Sequence, residues 1–167
     1  MVTPQMMGLD QAPAEVHVPP PDPGRWAEQL AEVARQMLAV LGRHRDLVPS
    51  SFGFLPGGGR ALRCHERVLA ILRASGLPDN RAAGGLCWLW VIVNAFSLEE
   101  TRTEDPGRPG PDLSSEVKEY FASLPGDRFP NLVAVAGEFA KTDCNERFEL
   151  LIIFRTNFVR FMHHSVI

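Results

Sequence analysis

The sequence predicts an all-α domain that pairs with a second subunit, and three patterns support this fold class. Apolar residues recur at spacings of three and four along several segments, as they do on one face of a helix. No segment longer than four residues alternates apolar and polar side chains as a half-buried strand would. Two helical segments, 80–102 and 144–164, are apolar on more faces than the core of one chain of 167 residues can cover.

The composition is that of a folded protein of ordinary size. The chain is 45% apolar and 22% charged, which suits a single domain with a sizeable core. Its net charge of −3 argues against an isolated nucleic-acid-binding domain, because such domains usually present a basic surface. The three cysteines are widely separated, so we expect free thiols rather than disulfide bonds or a zinc site.

Two segments bear on localisation. The N-terminus lacks the basic cluster and apolar run of a secretory signal. The uncharged run 82–93 is shorter than the roughly 18–20 residues that span a bilayer, and the polar Asn94 follows it. We therefore expect a cytoplasmic protein without a membrane partner, in which this run belongs to a buried core helix.

The first 24 residues are expected to lie outside the folded domain. Residues 1–18 carry only a weak apolar pattern, and 19–24 form a proline-rich linker, because proline interrupts helices and strands. The domain itself is expected over 25–167 and begins with a helix over 25–42. The apolar residues that repeat on one face of this helix are Trp26, Leu30, Val33, Met37 and Leu41.

The middle of the chain predicts two further long helices. A short helix over 44–51 is followed by an apolar loop that ends in three glycines. The next helix spans 60–75 and stops at Gly76, where a left-handed cap favours glycine. The central helix spans 80–102 and is the most apolar part of the chain.

A polar loop over 103–112 separates the central helix from the C-terminal helices, which we expect over 113–124, 130–140 and 144–164. The last helix presents large apolar side chains on two faces, and the sequence alone leaves open which face meets the partner. The predicted interface residues are Phe148, Leu151, Phe154, Phe158, Phe161 and Met162.

Short motifs along the chain resemble the C-terminal domain of TetR-family (tetracycline-repressor-type) transcriptional regulators. They are H-R-D at 44–46, G-L-P at 76–78, L-E-E at 98–100, F-P-N-L at 129–132 and N-E-R-F-E at 145–149. Each motif is weak alone, but together they occur in the order and at the spacing of that family.

The resemblance covers about residues 8–164 and implies a bacterial regulator domain that binds an effector and forms a homodimer. The two subunits would join in a four-helix bundle, made from the helices over 80–102 and 144–164 of each chain. Members of this family usually begin with a helix-turn-helix domain, whereas residues 1–18 resemble only the connecting helix. We therefore expect DNA contact only through an N-terminal domain that this chain lacks.

The resemblance also implies a ligand pocket lined by the first three long helices. Its predicted wall is mostly apolar, which favours a small hydrophobic or drug-like effector. The apolar wall residues are Val33, Met37, Phe54, Leu55, Val68, Leu86 and Trp90, and the candidate polar anchors are Ser51, His65, Asn94 and Glu99. In tetracycline-binding members a His and a Glu hold the drug and its magnesium. That His position falls near Ser51 here, so we expect neither metal nor cofactor.

Several alternatives stay open at this stage. Met37 and Trp90 could be ordinary core residues, and the amide of Asn94 could bind the ligand, the partner subunit or backbone. The chain could be a stand-alone relative that sequesters ligand or forms mixed dimers. It could also be a small helical enzyme using His65 and Glu99, but no nucleophile is paired with a base, so we expect no catalytic residue.

Overall fold

The structure is a computed structural model that describes residues 15–44, 58–103, 113–139 and 146–152. These residues contain helices and turns but no β-strand, which confirms the predicted all-α class. They divide into two compact units, the first ending at residue 101 and the second beginning at residue 102.

The first unit is built from three helices, α1 (Trp26–Arg43), α2 (Gly59–Ala74) and α3 (Asp79–Thr103). Each helix begins and ends within one residue of its predicted bounds. Helix α1 packs against α2, and α2 contacts α3 through the aromatic pair His65 and Trp90. The core of this unit includes Val33 from α1, Val68 from α2 and Val93 from α3, all of which are fully buried.

Helix α2 ends in the predicted glycine cap. Gly76 has φ = 86°, a left-handed conformation in which an ordinary residue would be strained. The Gly76 N–H donates to the carbonyl oxygen of Arg73 over 3.0 Å, and the Ser75 N–H donates to that of Ile71 over 3.1 Å. An ion pair of 2.8 Å between Arg73 and Asp79 then joins the end of α2 to the start of α3.

Helices α2 and α3 approach each other closely at Gly85. A Cβ atom placed on this residue would lie 3.2 Å from Cδ2 of Leu72, which is itself buried. At the neighbouring Gly84 such an atom would meet nothing within 4 Å. A larger residue at position 85 would therefore have to displace the Leu72 side chain by a few tenths of an ångström, whereas Gly84 lies on the side of α3 away from α2.

Residues 15–25 lie beside α1 rather than forming a separate linker. The His17 N–H donates to Oε1 of Gln36 over 2.8 Å, and Nε2 of Gln29 donates to the carbonyl oxygen of Pro20 over 2.7 Å. The side chains of Val16 and Val18 are buried. The folded unit thus includes residues before 25, and residues 16–18 are not helical. Most of the predicted connecting helix falls on residues 1–14, outside the described part of the chain, so it stays a prediction.

The start of this segment is tied to the end of α1 by a carboxylate. Oε2 of Glu15 lies 2.7 Å from Nη2 of Arg43, and Oε1 lies 2.9 Å from Nε2 of His44. Hydrogen bonds from Arg43 first and His44 second hold the pKa of Glu15 below its ordinary value. The segment is therefore fixed at its beginning as well as along its length.

The second unit contains α4 (Leu113–Ala122) and α5 (Pro130–Val135), which pack against each other, and a last described helix, α6, over 146–152. Helix α5 is shorter than predicted, because residues 136–139 form a turn that includes Gly137. The part of the last predicted helix beyond residue 152 lies outside the described residues, as does the predicted helix after residue 44.

The most apolar helix is long enough to cross a membrane when judged by length and composition alone. Its 22 residues Asp79–Glu100 have a mean hydropathy of 1.4 in their most apolar window. Core helices of water-soluble proteins pass the same test, and α3 buries the polar Asn94 and Ser97 together with Val93. One side of α3 therefore belongs to the core of the first unit, with 39% of this window buried.

Candidate functional site

The structure describes eight of the eleven predicted ligand-binding residues, and seven of these eight are buried. The buried residues are Val33, Met37, His65, Val68, Leu86, Trp90 and Asn94, each no more than 7% exposed. Glu99 is only partly buried. Ser51, Phe54 and Leu55 lie outside the described residues, so their predicted role stays a prediction.

Helical spacing explains why the seven residues turn inward together. On α1, Val33 and Met37 are four residues apart and so share one face. On α3, Leu86, Trp90 and Asn94 follow one another at the same spacing. Because α1 packs on α2 and α2 contacts α3, these faces line the interior of the first unit.

His65 is the most unusual of these side chains. It is 6% exposed, and its ring meets that of Trp90 edge to face, with centroids 6.0 Å apart and an interplanar angle of 80°. Its Nε2 atom has no hydrogen-bond partner within the described part of the chain. Burial lowers the pKa of His65 below its ordinary value of 6.5, so the imidazole is neutral at neutral pH.

Asn94 and Ser97 are buried polar side chains on α3. Nδ2 of Asn94 donates to the carbonyl oxygen of Trp90 over 2.8 Å, so backbone is one partner of the amide, as one of the three alternatives proposed. Ser97 is 1% exposed, and the sequence analysis missed it as a buried polar residue. Its position three residues after Asn94 on an inward stripe could have indicated its burial.

The arrangement offers hydrogen bonding in an apolar interior rather than metal chemistry. No group of three His, Cys, Asp or Glu side chains among the described residues is placed to hold a metal ion. Cys64 is a free, buried thiol whose pKa is raised by burial, and Cys87 is a free, exposed thiol. Glu66 is exposed while Cys64 and His65 are buried, so these three neighbours do not converge on one ion.

The opposite side of α3 carries an exposed apolar surface, which we call the outer stripe: Gly84, Cys87, Trp88, Val91 and Ala95. Trp88 is 62% exposed and Val91 is 47% exposed. The sequence predicted this helix as part of the dimer interface but did not distinguish these residues. The sequence could not separate Trp88 from Trp90, because α3 is apolar on every face at this level.

The predicted interface on the last helix is only partly described. Phe148 is 2% exposed within the single chain. Its predicted place in the interface stays a prediction. Leu151 is 38% exposed and its neighbour Leu150 is 51% exposed. The remaining predicted interface residues, Phe154, Phe158, Phe161 and Met162, lie outside the described part of the chain.

Comparisons with known proteins place these features in a family. The family model described as tetracyclin repressor-like, C-terminal domain, matches residues 18–152. The TetR family protein ActR from Streptomyces coelicolor, solved in complex with (S)-DNPA, is 35% identical and has a TM-score of 0.80 over 92% of this chain and 72% of ActR. The complex of ActR with actinorhodin is 36% identical, with a TM-score of 0.78 over 91% of this chain and 73% of ActR.

A more distant structure shares the same fold. It is a possible TetR family transcriptional regulator from Streptomyces coelicolor A3(2), 25% identical to this chain, with a TM-score of 0.67. The similarity covers 95% of this chain and 73% of that regulator. A comparison with proteins of curated function finds no match.

Proposed function

The chain belongs to the TetR family of transcriptional regulators through its C-terminal domain, and from this we infer that its first unit binds a small, mostly apolar effector. ActR, which binds (S)-DNPA and actinorhodin, supports an effector-binding role. Apolar burial alone would fit an ordinary core equally well. The observation that favours a pocket is the buried Nε2 of His65, which has no partner in the described chain.

The two ActR ligands are the natural first probes. If either binds, it should raise the melting temperature, because a ligand at a hundred times its Kd stabilises the folded state by about 2.7 kcal/mol. Met37→Trp should fill the space beside Val33 and abolish the shift. Leu62→Trp is the matched control, because Leu62 is 55% exposed on α2 and the same enlargement there should leave the shift unchanged.

The circular dichroism spectrum should show that both variants remain helical. A melting-temperature shift that survives Met37→Trp undiminished would place the ligand elsewhere. If neither ActR ligand binds, a panel of uncharged aromatic compounds repeats the same comparison.

We also propose that the chain forms a homodimer and that the outer stripe of α3 is part of the interface. The support is the exposure of Trp88 and Val91 on a helix whose other side is already buried. Large apolar side chains clustered on a surface mark interaction sites, because water exposure is costly. The predicted contribution of the last helix, from Leu151 onward, stays a prediction.

The remaining features fit a regulator that is not an enzyme. TetR-family regulators are soluble, which agrees with the assignment of α3 to the core rather than to a membrane. We propose a cytoplasmic location on the same ground. The net charge of −3 supports the expectation that this chain alone does not bind DNA, and a gel-shift assay at physiological salt would test it.

A further inference from the structure

We propose that the effector of this domain carries an uncharged hydroxyl group that hydrogen-bonds to Nε2 of His65 beside the ring of Trp90. This inference rests on the proposed function, because it assigns a chemical class to the ligand of the same pocket. It goes beyond that function by naming one atom of the protein and the group that this atom recognises.

The first step of the argument is the state of the imidazole. Nε2 of His65 is buried and has no hydrogen-bond partner in the described residues. Buried polar atoms in native proteins nearly always have a partner, because an unsatisfied one costs the free energy of its lost hydration. The hydrophobic neighbours of His65 offer none, since Val68 lies one turn along α2 and Trp90 presents its ring. A bound molecule is then the missing partner.

The second step concerns charge. The buried polar side chains of the described chain are His65, Asn94 and Ser97, and each is uncharged at neutral pH because burial keeps the imidazole neutral. A buried carboxylate or phosphate on the ligand would need a cationic partner, and a buried amine would need an anionic one. Neither type of partner is among these buried residues. The geometry therefore favours a neutral polar group.

The third step selects a hydroxyl among neutral groups. In neutral histidine one ring nitrogen donates and the other accepts, and the tautomer decides which role Nε2 plays. A hydroxyl can both donate and accept, so it satisfies Nε2 in either tautomer. The ring of Trp90 beside the imidazole suits a flat apolar body attached to that hydroxyl.

The test uses three naphthalene probes of one size and the full chain. Naphthalene measures binding to the apolar wall, 2-naphthol adds a neutral hydroxyl, and 2-naphthoate adds a negative charge. Binding is followed by isothermal titration calorimetry for the wild type, His65→Phe and His17→Phe. The last variant makes the same chemical change at an exposed histidine and is the matched control.

We expect 2-naphthol to bind the wild type about three- to tenfold more tightly than naphthalene, which is the range for one neutral hydrogen bond. His65→Phe should remove this preference and leave naphthalene affinity unchanged or improved, while His17→Phe should retain it. In the wild type, 2-naphthol and not naphthalene should also shift the ¹⁵N resonance of Nε2 in His65. This second measurement needs no variant, so it remains informative if His65→Phe fails to fold.

The outcomes separate the inference from the function on which it rests. Equal affinity for naphthalene and 2-naphthol would leave the apolar pocket standing and overturn the hydroxyl anchor. A 2-naphthol preference that persists in His65→Phe would also overturn it, as would tightest binding of 2-naphthoate. If no probe binds, the pocket between α1, α2 and α3 is itself refuted, and the inference falls with it.

Discussion

Trp88 lies on the outer stripe of α3, and replacing it by glutamate tests whether this stripe joins two subunits. The side chain is 62% exposed in the single chain. Since a tryptophan buries up to about 250 Å², about 150 Å² remains available to a partner. At about 25 cal/mol per Å², burial of this surface contributes about 4 kcal/mol per subunit to the free energy of dimerisation. In a two-fold symmetric dimer both subunits make this contribution.

The loss of dimer affinity in Trp88→Glu should be large enough to measure. Each 1.4 kcal/mol is a factor of ten in affinity, so removing even one of the two contributions weakens the dimer by about a thousandfold. Placing a carboxylate in the interface adds a cost of desolvation in the same direction. We therefore expect the wild type to be a dimer and Trp88→Glu to be a folded monomer at micromolar concentration.

Light scattering coupled to size-exclusion chromatography measures this directly. Leu62→Glu is the matched control, because Leu62 is 55% exposed on α2 but lies off the outer stripe. Its mass should equal that of the wild type, and both variants should keep their helical spectrum. A wild type that is monomeric at this concentration would refute the dimer. A dimer that tolerates Trp88→Glu would show that the outer stripe is not its interface.

Two further predictions concern the stability of the first unit. Since burial lowers the pKa of His65 below 6.5, the unfolded chain binds a proton that the folded chain does not, so stability falls as pH drops below about 6.5. As the pH falls, urea unfolding should show that the wild type loses more stability than His65→Phe, by at most about 1.4 kcal/mol per pH unit. A stability difference between the two proteins that is the same at about pH 7.5 and pH 5.5 would contradict the lowered pKa of His65. Gly84→Ala should be more stable than Gly85→Ala by about 1 kcal/mol or more at equal protein concentration. The gain in helix propensity is the same for both, but only the second pushes against Leu72; equal stabilities would show that Leu72 has room to move.

The long helices were predictable because local rules and packing agree there. Apolar spacing on α1 identified its buried face, and Gly76 marked the end of α2 because only glycine adopts its conformation without strain. Helix α5 was predicted too long, since the sequence analysis continued its apolar pattern through Gly137. Glycine costs about 1 kcal/mol in a helix, and the structure forms a turn there instead.

The N-terminal segment shows a pattern that was present but misinterpreted. Val16 and Val18 are two residues apart and both buried, while His17 between them is exposed. A period of two is the pattern of extended chain, not of a helix. Extended chain beside α1 needs partners for its backbone, and the side chains of Gln29 and Gln36 provide them. As polar residues of an amphipathic helix, the two glutamines gave no indication of this role in the sequence.

The location of the candidate site could be predicted from the sequence, but the hydrogen bonding of its histidine could not. Helical spacing places His65 on the same inward stripe of α2 as Ala61, Val68 and Leu72, so its burial follows from the sequence. The absence of a hydrogen-bond partner for its Nε2 atom does not follow from the sequence, because this bonding depends on which side chain of α3 lies opposite. That side chain is Trp90, whose ring packs edge to face with the imidazole.

The pattern of burial on helix α3 explains how one segment can look like a membrane span and still belong to a TetR-family regulator domain. Its inner stripe, which includes Trp90 and Asn94, is buried by the subunit, and its outer stripe, which includes Trp88, would be buried by the partner. A helix covered on both sides needs no polar face, and this accounts for its high hydropathy. The Trp88→Glu experiment separates the two explanations, because a glutamate in lipid would oppose insertion, whereas a glutamate in a dimer interface yields a water-soluble monomer.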